Sequence, residues 1–115
     1  LDVLRDRNPN FVALSSGAVR NGYTLKLMNR FDRPRDLVLD IGGVKPLIVN
    51  VIGLGDIRPP AKLNVEADKV RTLRVLITVA PENLETGSQT IRFSLSNAEH
   101  TETRTVGAVF VSGRN

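Results

Sequence analysis

The sequence predicts an all-β fold, an immunoglobulin-like antiparallel β-sandwich of about seven to eight strands. Apolar and polar residues alternate along most of the chain, which is the period of a half-buried strand, and no segment has the period of an amphipathic helix. Clusters of Gly, Pro, Asn and Asp interrupt these runs about every 8–12 residues, as turns do in a sandwich. Cys and Trp are absent, so the disulfide and tryptophan of antibody-type cores are missing.

The first third of the chain contains a lead-in and two strands. Residues 3–7 are expected to be extended and to end before Pro9, because a proline restricts the preceding residue to extended or turn geometry. Residues 11–14 form a short strand, which is followed by a turn that includes Gly17. Residues 19–29 then form a long strand.

This long strand has the clearest alternation in the chain. Tyr23, Leu25 and Leu27 fall on one face, which predicts that this face is buried. Asn21-Gly22 is a strong signal for a turn, so a bulge or bend is predicted at that point of the strand.

Three shorter strands follow in the middle of the chain. Residues 37–41 alternate, with Val38 on the outward side. Residues 47–52 form the next strand, and a loop over residues 53–56 ends it. Residues 63–65 form a short strand, and the prolines before it place it at a sheet edge.

The last third contains the strongest core strand, Val70–Val79, in which four aliphatic residues alternate with others. Residues 81–87 are expected to form a corner that crosses between the sheets. Residues 91–95 alternate again, and after a loop over residues 97–101 the last strand is predicted at Thr103–Val111. The larger core side chains are expected to be Phe11, Tyr23, Phe93 and Phe110.

Length and composition indicate one domain over residues 1–115. A hydrophobic share of 41% and a mean hydropathy of −0.09 are typical of a globular domain, and no apolar run is long enough to cross a bilayer. A charged segment at residues 2–6 replaces the apolar part of a signal peptide. Because the first residue is Leu1 rather than Met, we expect the chain to be a fragment of a larger protein.

The chain is basic, with a formal net charge of +4 at pH 7. Such a balance favours an acidic partner or an anionic membrane surface, although interleaved aspartates leave open an ordinary mixed surface. Nucleic acid is disfavoured, because aromatics make up 4% of the chain and none alternates with basic residues. The arginines predicted to contact a partner or the membrane surface are Arg5, Arg7, Arg20, Arg30, Arg33 and Arg35.

No catalytic site or cofactor site is predicted in this chain. The absence of Cys excludes thiolate metal sites, iron–sulfur ligation and cysteine nucleophiles. The single histidine, His100, falls in a predicted loop beside Glu99 and Glu102. A lone histidine in such a loop is more often a solvated surface residue than a metal ligand. The single methionine, Met28, is predicted on the outward face of its strand. A copper site would need Met28 and His100 to converge.

Two stretches near the start resemble a known family. They are DVLRDRNPNFV at residues 2–12 and SSGAVRNGYTLKLMN at residues 15–29, and PENLETGSQTIRF at residues 81–93 also fits. They resemble the C-terminal domain of the FixG/CcoG/RdxA family, the accessory proteins of cbb-type cytochrome c oxidase. The resemblance covers essentially the whole chain and is most specific in its first thirty residues.

The resemblance implies a larger inner-membrane protein with several transmembrane helices and a module that holds 4Fe-4S clusters. Those proteins are implicated in copper handling, as cupric reductases, during oxidase assembly. None of the cluster ligands carries over, because this chain has no Cys. The resemblance therefore implies a non-catalytic, periplasmic interaction or scaffolding domain next to the membrane. Its implied partner is an oxidase assembly factor, an oxidase subunit or the membrane part of its own parent.

Two alternatives remain open on the sequence. The domain could deliver copper by binding it transiently through His100, with Met28 as a further ligand. It could also be a generic adhesion-type sandwich unrelated to oxidases, since the fold alone does not specify a function.

Overall fold

Two antiparallel sheets face each other in the computed structural model, which describes residues 1–29, 33–67, 69–97 and 101–113. Within those ranges there are ten strands and one 3-10 turn, and no helix is long and apolar enough to cross a bilayer. The strands are β1 (Asp2–Arg5), β2 (Val12–Ala13), β3 (Val19–Met28), β4 (Arg35–Gly42), β5 (Pro46–Val51), β6 (Gly55–Ile57), β7 (Ala61–Val65), β8 (Val70–Val79), β9 (Ser88–Asn97) and β10 (Thr103–Val111).

The first sheet, sheet A, has the strand order β1-β3-β8-β5-β6, and β2 pairs with the beginning of β3. The second, sheet B, has the order β10-β9-β4-β7. A 3-10 turn at Pro81–Asn83 lies between β8 in sheet A and β9 in sheet B, so the predicted corner is confirmed. The predicted all-β sandwich is also confirmed. The strand number exceeds the expected one because β1, β2 and β6 are short additional pieces.

The pairing of β3 with β8 is the longest in sheet A. It runs over ten residue pairs in unbroken register, from Val19 opposite Val79 to Met28 opposite Val70. The inward residues of both strands are buried, because they face sheet B. The predicted bounds of the core strand β8 and of β10 agree with the structure.

Three aromatic side chains form the centre of the core. Tyr23, Phe93 and Phe110 are completely buried, and Phe11 packs against the same cluster while partly exposed. The rings of Tyr23 and Phe93 meet edge to face, with 5.0 Å between their centroids. This arrangement joins sheet A to sheet B through the geometry that aromatic pairs prefer.

The bulge or bend predicted at Asn21-Gly22 is wrong, because β3 keeps its register with β8 through both residues. Asn21 is completely buried and directs its amide toward the edge of β10. Its Nδ2 donates to the Val111 carbonyl oxygen at 2.9 Å, and its Oδ1 accepts from the Val111 N–H at 2.8 Å. The residue therefore satisfies backbone groups of sheet B instead of forming a turn.

One further expectation needs correction, and the burial of one outward residue needs an explanation. The predicted loop over residues 53–56 is partly a strand, since Gly55 begins β6 and pairs with Val51 across a tight turn. Val38 lies outside the core cluster, as an outward residue should, but only 8% of it is exposed. The cause is its central place in sheet B, where β9 and β7 flank it on both sides. The predicted edge position of β7 is confirmed.

We expect Phe93→Ala to lower the free energy of unfolding by about 3–5 kcal/mol, because it leaves a cavity beside Tyr23. Urea denaturation followed by circular dichroism measures the change. The matched control is Val109→Ala, which truncates an exposed residue and should cost no more than about 1 kcal/mol. An unmoved midpoint in Phe93→Ala would show that Phe93 does not support the core.

We expect Asn21→Ala to cost at least about 1–3 kcal/mol, because it leaves the Val111 backbone groups without partners inside the protein. The control is Asn50→Ala, which removes an exposed hydrogen bond to Asp56 and should change stability by less than about 0.5 kcal/mol. Equal effects of the two substitutions on urea denaturation would contradict a cross-sheet role for Asn21.

Candidate functional site

The ion pair between Asp6 and Arg74 is the single one found among the described residues. Arg74 donates to both Asp6 carboxylate oxygens at 2.6 Å, and its Nη1 also donates to Thr24 Oγ1 at 3.0 Å. The Asp6 side chain crosses over Gly22, where a Cβ would overlap the carboxylate. This contact therefore joins the segment after β1 to β8 across the intervening strand β3.

The electrostatics of this pair follow from its geometry. The hydrogen bond from Arg74 lowers the pKa of the Asp6 carboxyl below its usual 3.8, and the same bond raises the pKa of the Arg74 guanidinium. The side chains are 30% and 42% exposed, respectively, so solvent screens their attraction. The pair has the geometry of a strand-to-strand contact rather than that of a reactive centre.

Tyr23 carries the other perturbed group of the described chain. Its Oη donates to the Val109 carbonyl oxygen at 2.8 Å, and burial raises the pKa of the hydroxyl. The phenol is thus held protonated as a donor to β10. Together with Asn21 it holds the last strand of sheet B against sheet A.

The arginines predicted to form a contact surface do not converge. Arg5 is used within the fold, since its Nη1 donates to the carbonyl oxygens of Asp6 at 3.1 Å and of Asn10 at 3.2 Å. Arg7 is exposed after β1, and Arg20 lies near the start of β3, where it pairs in register with Val12.

Arg33 and Arg35 lie at the other end of the sandwich, and Arg30 falls outside the described residues. Arg35 shares a cavity of about 340 Å³ with Met28, the last residue of β3. Arg20 precedes Met28 by eight positions, or about 26 Å of strand. The five described arginines therefore do not form one patch, and the contact of the predicted set with a partner or membrane surface stays a prediction.

The copper alternative is not tested by the structure, because His100 lies outside the described residues. Met28 is 40% exposed, on the outward side predicted for it. Within residues 1–29, 33–67, 69–97 and 101–113, no three His, Cys, Asp or Glu side chains are grouped as metal ligands would be.

Exposed apolar side chains concentrate on one side of the sandwich. Eight large hydrophobic residues are exposed in the described chain, and only Val109 among them belongs to sheet B. The other seven lie on sheet A strands or on the hairpin of β5 and β6. They are Leu4, Met28, Leu47, Ile48, Ile52, Leu54 and Val70.

We call the outward side of sheet A, with its β5–β6 hairpin, the sheet A face. Two of its apolar residues, Met28 and Val70, stand opposite each other in register. Some of its charges are matched, since Asp2 stands opposite Lys26 and Asp6 is bound to Arg74. A face that combines exposed apolar side chains with polar and partly matched charged groups suits a protein surface better than nucleic acid or an anionic membrane.

The outward side of sheet B is hydrophilic by comparison. Ser94 and Thr105 stand opposite each other there and share a hydrogen bond of 3.1 Å between their hydroxyls. Hydroxyl and charged residues occupy most outward positions of β9. The contrast between the two faces was not predicted, because it depends on which strands share a sheet. The apolar run at residues 47–49, continued by Ile52 and Leu54, was the available signal.

Comparisons with known proteins agree on one family. A family model described as the IG-like fold at the C-terminus of FixG matches residues 1–113. The nitrogen fixation protein FixG of Rhizobium meliloti is 44% identical over 81 residues, which cover 69% of this chain and 15% of that protein. Protein RdxA of Cereibacter sphaeroides is 34% identical over 106 residues, or 90% of this chain and 22% of that protein.

A solved structure is also similar. The crystal structure of a FixG-related protein from Vibrio parahaemolyticus superimposes with a TM-score of 0.74 at 28% identity, and the match covers 96% of this chain and 92% of that one. The matched part is only a small share of the curated relatives. This chain spans less than a quarter of FixG and RdxA.

The lowered pKa of Asp6 predicts how its contribution to stability depends on pH. A carboxyl with a depressed folded pKa stabilises the fold above its unfolded pKa and loses that contribution as the pH falls through the folded value. Wild type should therefore exceed Asp6→Asn in stability by about 0.2–1 kcal/mol at neutral pH. The gap should persist to about pH 4 and shrink below it.

Urea denaturation of both proteins across this pH range is the measurement. Molar salt serves as the control, because screening should narrow the gap at neutral pH. A gap that stays constant down to about pH 2 would show that the carboxylate charge is not what stabilises the contact.

Proposed function

This chain belongs to the family of immunoglobulin-like domains at the C-terminus of FixG, and from this premise we propose that it is a non-catalytic protein-interaction domain of a larger FixG-type protein. The membership removes the alternative of an adhesion-type sandwich unrelated to this family. Since the chain spans only 15% of FixG, the proposal concerns this domain and not the activity of a whole protein of this kind.

The observation that carries the proposal is the concentration of exposed apolar side chains on the sheet A face. Exposing them to water is unfavourable, and exposed apolar side chains that gather on one face, with polar groups between them, are typical of an interaction site. Ile52 is 57% exposed and Leu4 is 67% exposed, on opposite margins of the same sheet. A protein partner that covers this face would bury both.

The resemblance to oxidase accessory proteins supports a more specific form of the proposal. The domain lies on the periplasmic side of the inner membrane and holds the parent protein against an oxidase assembly factor, an oxidase subunit or its own membrane part. The 4Fe-4S clusters of such a parent would lie outside this chain, which has no Cys to bind a cluster.

Photo-crosslinking in the full-length protein tests the proposal. A benzophenone side chain is placed at position 52 in cells that assemble the oxidase, and adducts are identified by mass spectrometry. We expect a reproducible adduct with an oxidase subunit, an assembly factor or the parent's membrane part, because Ile52 is an exposed apolar residue of the sheet A face. Leu4→Ser combined with Ile52→Ser should reduce the amount of assembled oxidase.

Position 109 is the matched control, since Val109 is 46% exposed but belongs to sheet B. It should give no such adduct, and Val109→Ser should leave the oxidase level unchanged. Equal crosslinking from positions 52 and 109, or normal oxidase in the double serine variant with the domain folded, would overturn the proposal.

A further inference from the structure

Strand β8 is paired along one side but only partly along the other. It pairs with β3 over all ten residues, whereas β5 covers it only from Val79 to Val75. One more backbone hydrogen bond, from Ile52 N–H to the Arg74 carbonyl oxygen at 2.9 Å, ends that pairing. Beyond it, no strand of the described chain lies beside residues 70–73 on this side.

The backbone groups of this segment point to the open side. In an antiparallel sheet, the N–H and C=O of alternate residues face the same neighbour. Because the Arg74 carbonyl faces β5, the N–H and C=O of Thr72 and of Val70 face the same direction. Thr72 is exposed and Val70 is 55% exposed, so solvent reaches this edge.

At two other sheet edges, side chains form hydrogen bonds with backbone groups of the edge strand. On β10, Tyr23 binds the Val109 carbonyl oxygen and Asn21 binds both backbone groups of Val111. On β7, Arg71 Nη1 donates to the Asn64 carbonyl oxygen at 2.7 Å. Exposed edges invite pairing with other chains, and proteins ordinarily protect them. The edge of β8 over residues 70–73 lacks such protection in the described chain.

We propose that this open edge of β8 accepts an extended segment of a partner protein, which continues the line of β5 as an added strand. The proposal rests on the proposed function and names the part of sheet A that the partner engages. Strand addition supplies main-chain hydrogen bonds, and adjacent pockets select alternate side chains. A lipid surface cannot supply this ladder, because it has no alternating N–H and C=O groups.

The chemistry beside the edge indicates which segment fits. A cavity of about 370 Å³ adjoins it, lined by Asn64, Val65, Glu66, Lys69, Val70 and Arg71. Lys69 and Arg71 place two cations there against the single carboxylate of Glu66. The cavity therefore favours an acidic side chain of the added strand.

Apolar groups flank the same edge on the sheet A face. Ile52 and Leu54 project from the hairpin turn at one end, and Val70 stands beside Met28 at the other. The added segment is thus expected to carry an acidic residue between apolar ones. Its charge is complementary to a chain with a formal net charge of +4.

The test is a library of random dodecapeptides displayed on phage and selected against the immobilised chain. Enriched peptides are synthesised and measured against three proteins: wild type, Thr72→Pro and Thr72→Val. The proline removes the N–H that faces the open side and leaves the pairing with β3 intact. The valine keeps that N–H and is the matched control.

We expect enriched peptides with an acidic residue between apolar ones. They should bind wild type and Thr72→Val equally and Thr72→Pro at least about tenfold more weakly, since a backbone hydrogen bond is lost. Bound peptide should also slow hydrogen exchange of the Thr72 amide in wild type. If thermal denaturation shows that Thr72→Pro is unfolded, protection of the Thr72 amide in wild type tests the inference instead.

Several results would overturn the inference. They are the enrichment of no peptide, peptides that bind a folded Thr72→Pro as tightly as wild type, and peptides that leave the Thr72 amide unprotected. Self-association of the chain that Thr72→Pro abolishes would assign the edge to a second copy instead. In the full-length protein, an adduct from position 52 that survives Thr72→Pro would defeat the inference while the proposed function stands.

Discussion

The pairing of β3 with β8 is the constraint on which the rest of the sandwich depends. Its ten unbroken residue pairs form the middle of sheet A, and β1, β2 and β5 attach to the outer sides of the two strands. The same strand β3 also reaches sheet B, because Asn21 and Tyr23 bind the backbone of β10 and the Tyr23 ring meets Phe93. One strand therefore sets both the register of sheet A and the position of the last strand of sheet B. A shift of β3 by one residue would reverse its faces and remove all of these contacts.

The two faces of the sandwich differ because most strands with exposed apolar residues pair within sheet A, and Val109 of β10 is the exception among the described residues. Sheet B keeps hydroxyl and charged residues outward and has a long strand, β10, whose edge is partly occupied by side chains from β3. Sheet A has exposed apolar residues and a central strand that its neighbour β5 leaves uncovered at one end. A fold with one hydrophilic side and one side that is richer in exposed apolar residues is suited to attachment to another protein.

Alternation predicted the strands well where a strand lies between two others or has one face in the core. The bounds of β8 were predicted because burial imposes a strict period of two on its side chains. Asn21-Gly22 misled the prediction for two separate physical reasons. Asn21 is needed because its side chain forms hydrogen bonds with the backbone of Val111. Gly22 is needed because a Cβ at that position would overlap the Asp6 carboxylate. Both contact partners are distant in the sequence from Asn21-Gly22. The pair that resembles a local turn signal is therefore explained by tertiary contacts.

The sequence by itself determined most strand positions, most inward residues, the family and the absence of a cysteine-ligated cluster, because these depend on local periodicity and on which residue types are present. It did not place the candidate site. The arginines that lie close in sequence lie at different ends of the sandwich, since a strand carries Arg20 and Met28 about 26 Å apart. The order of strands in each sheet decided which edges are closed and where apolar residues meet. That order results from contacts between distant segments, and only the tertiary structure specifies them.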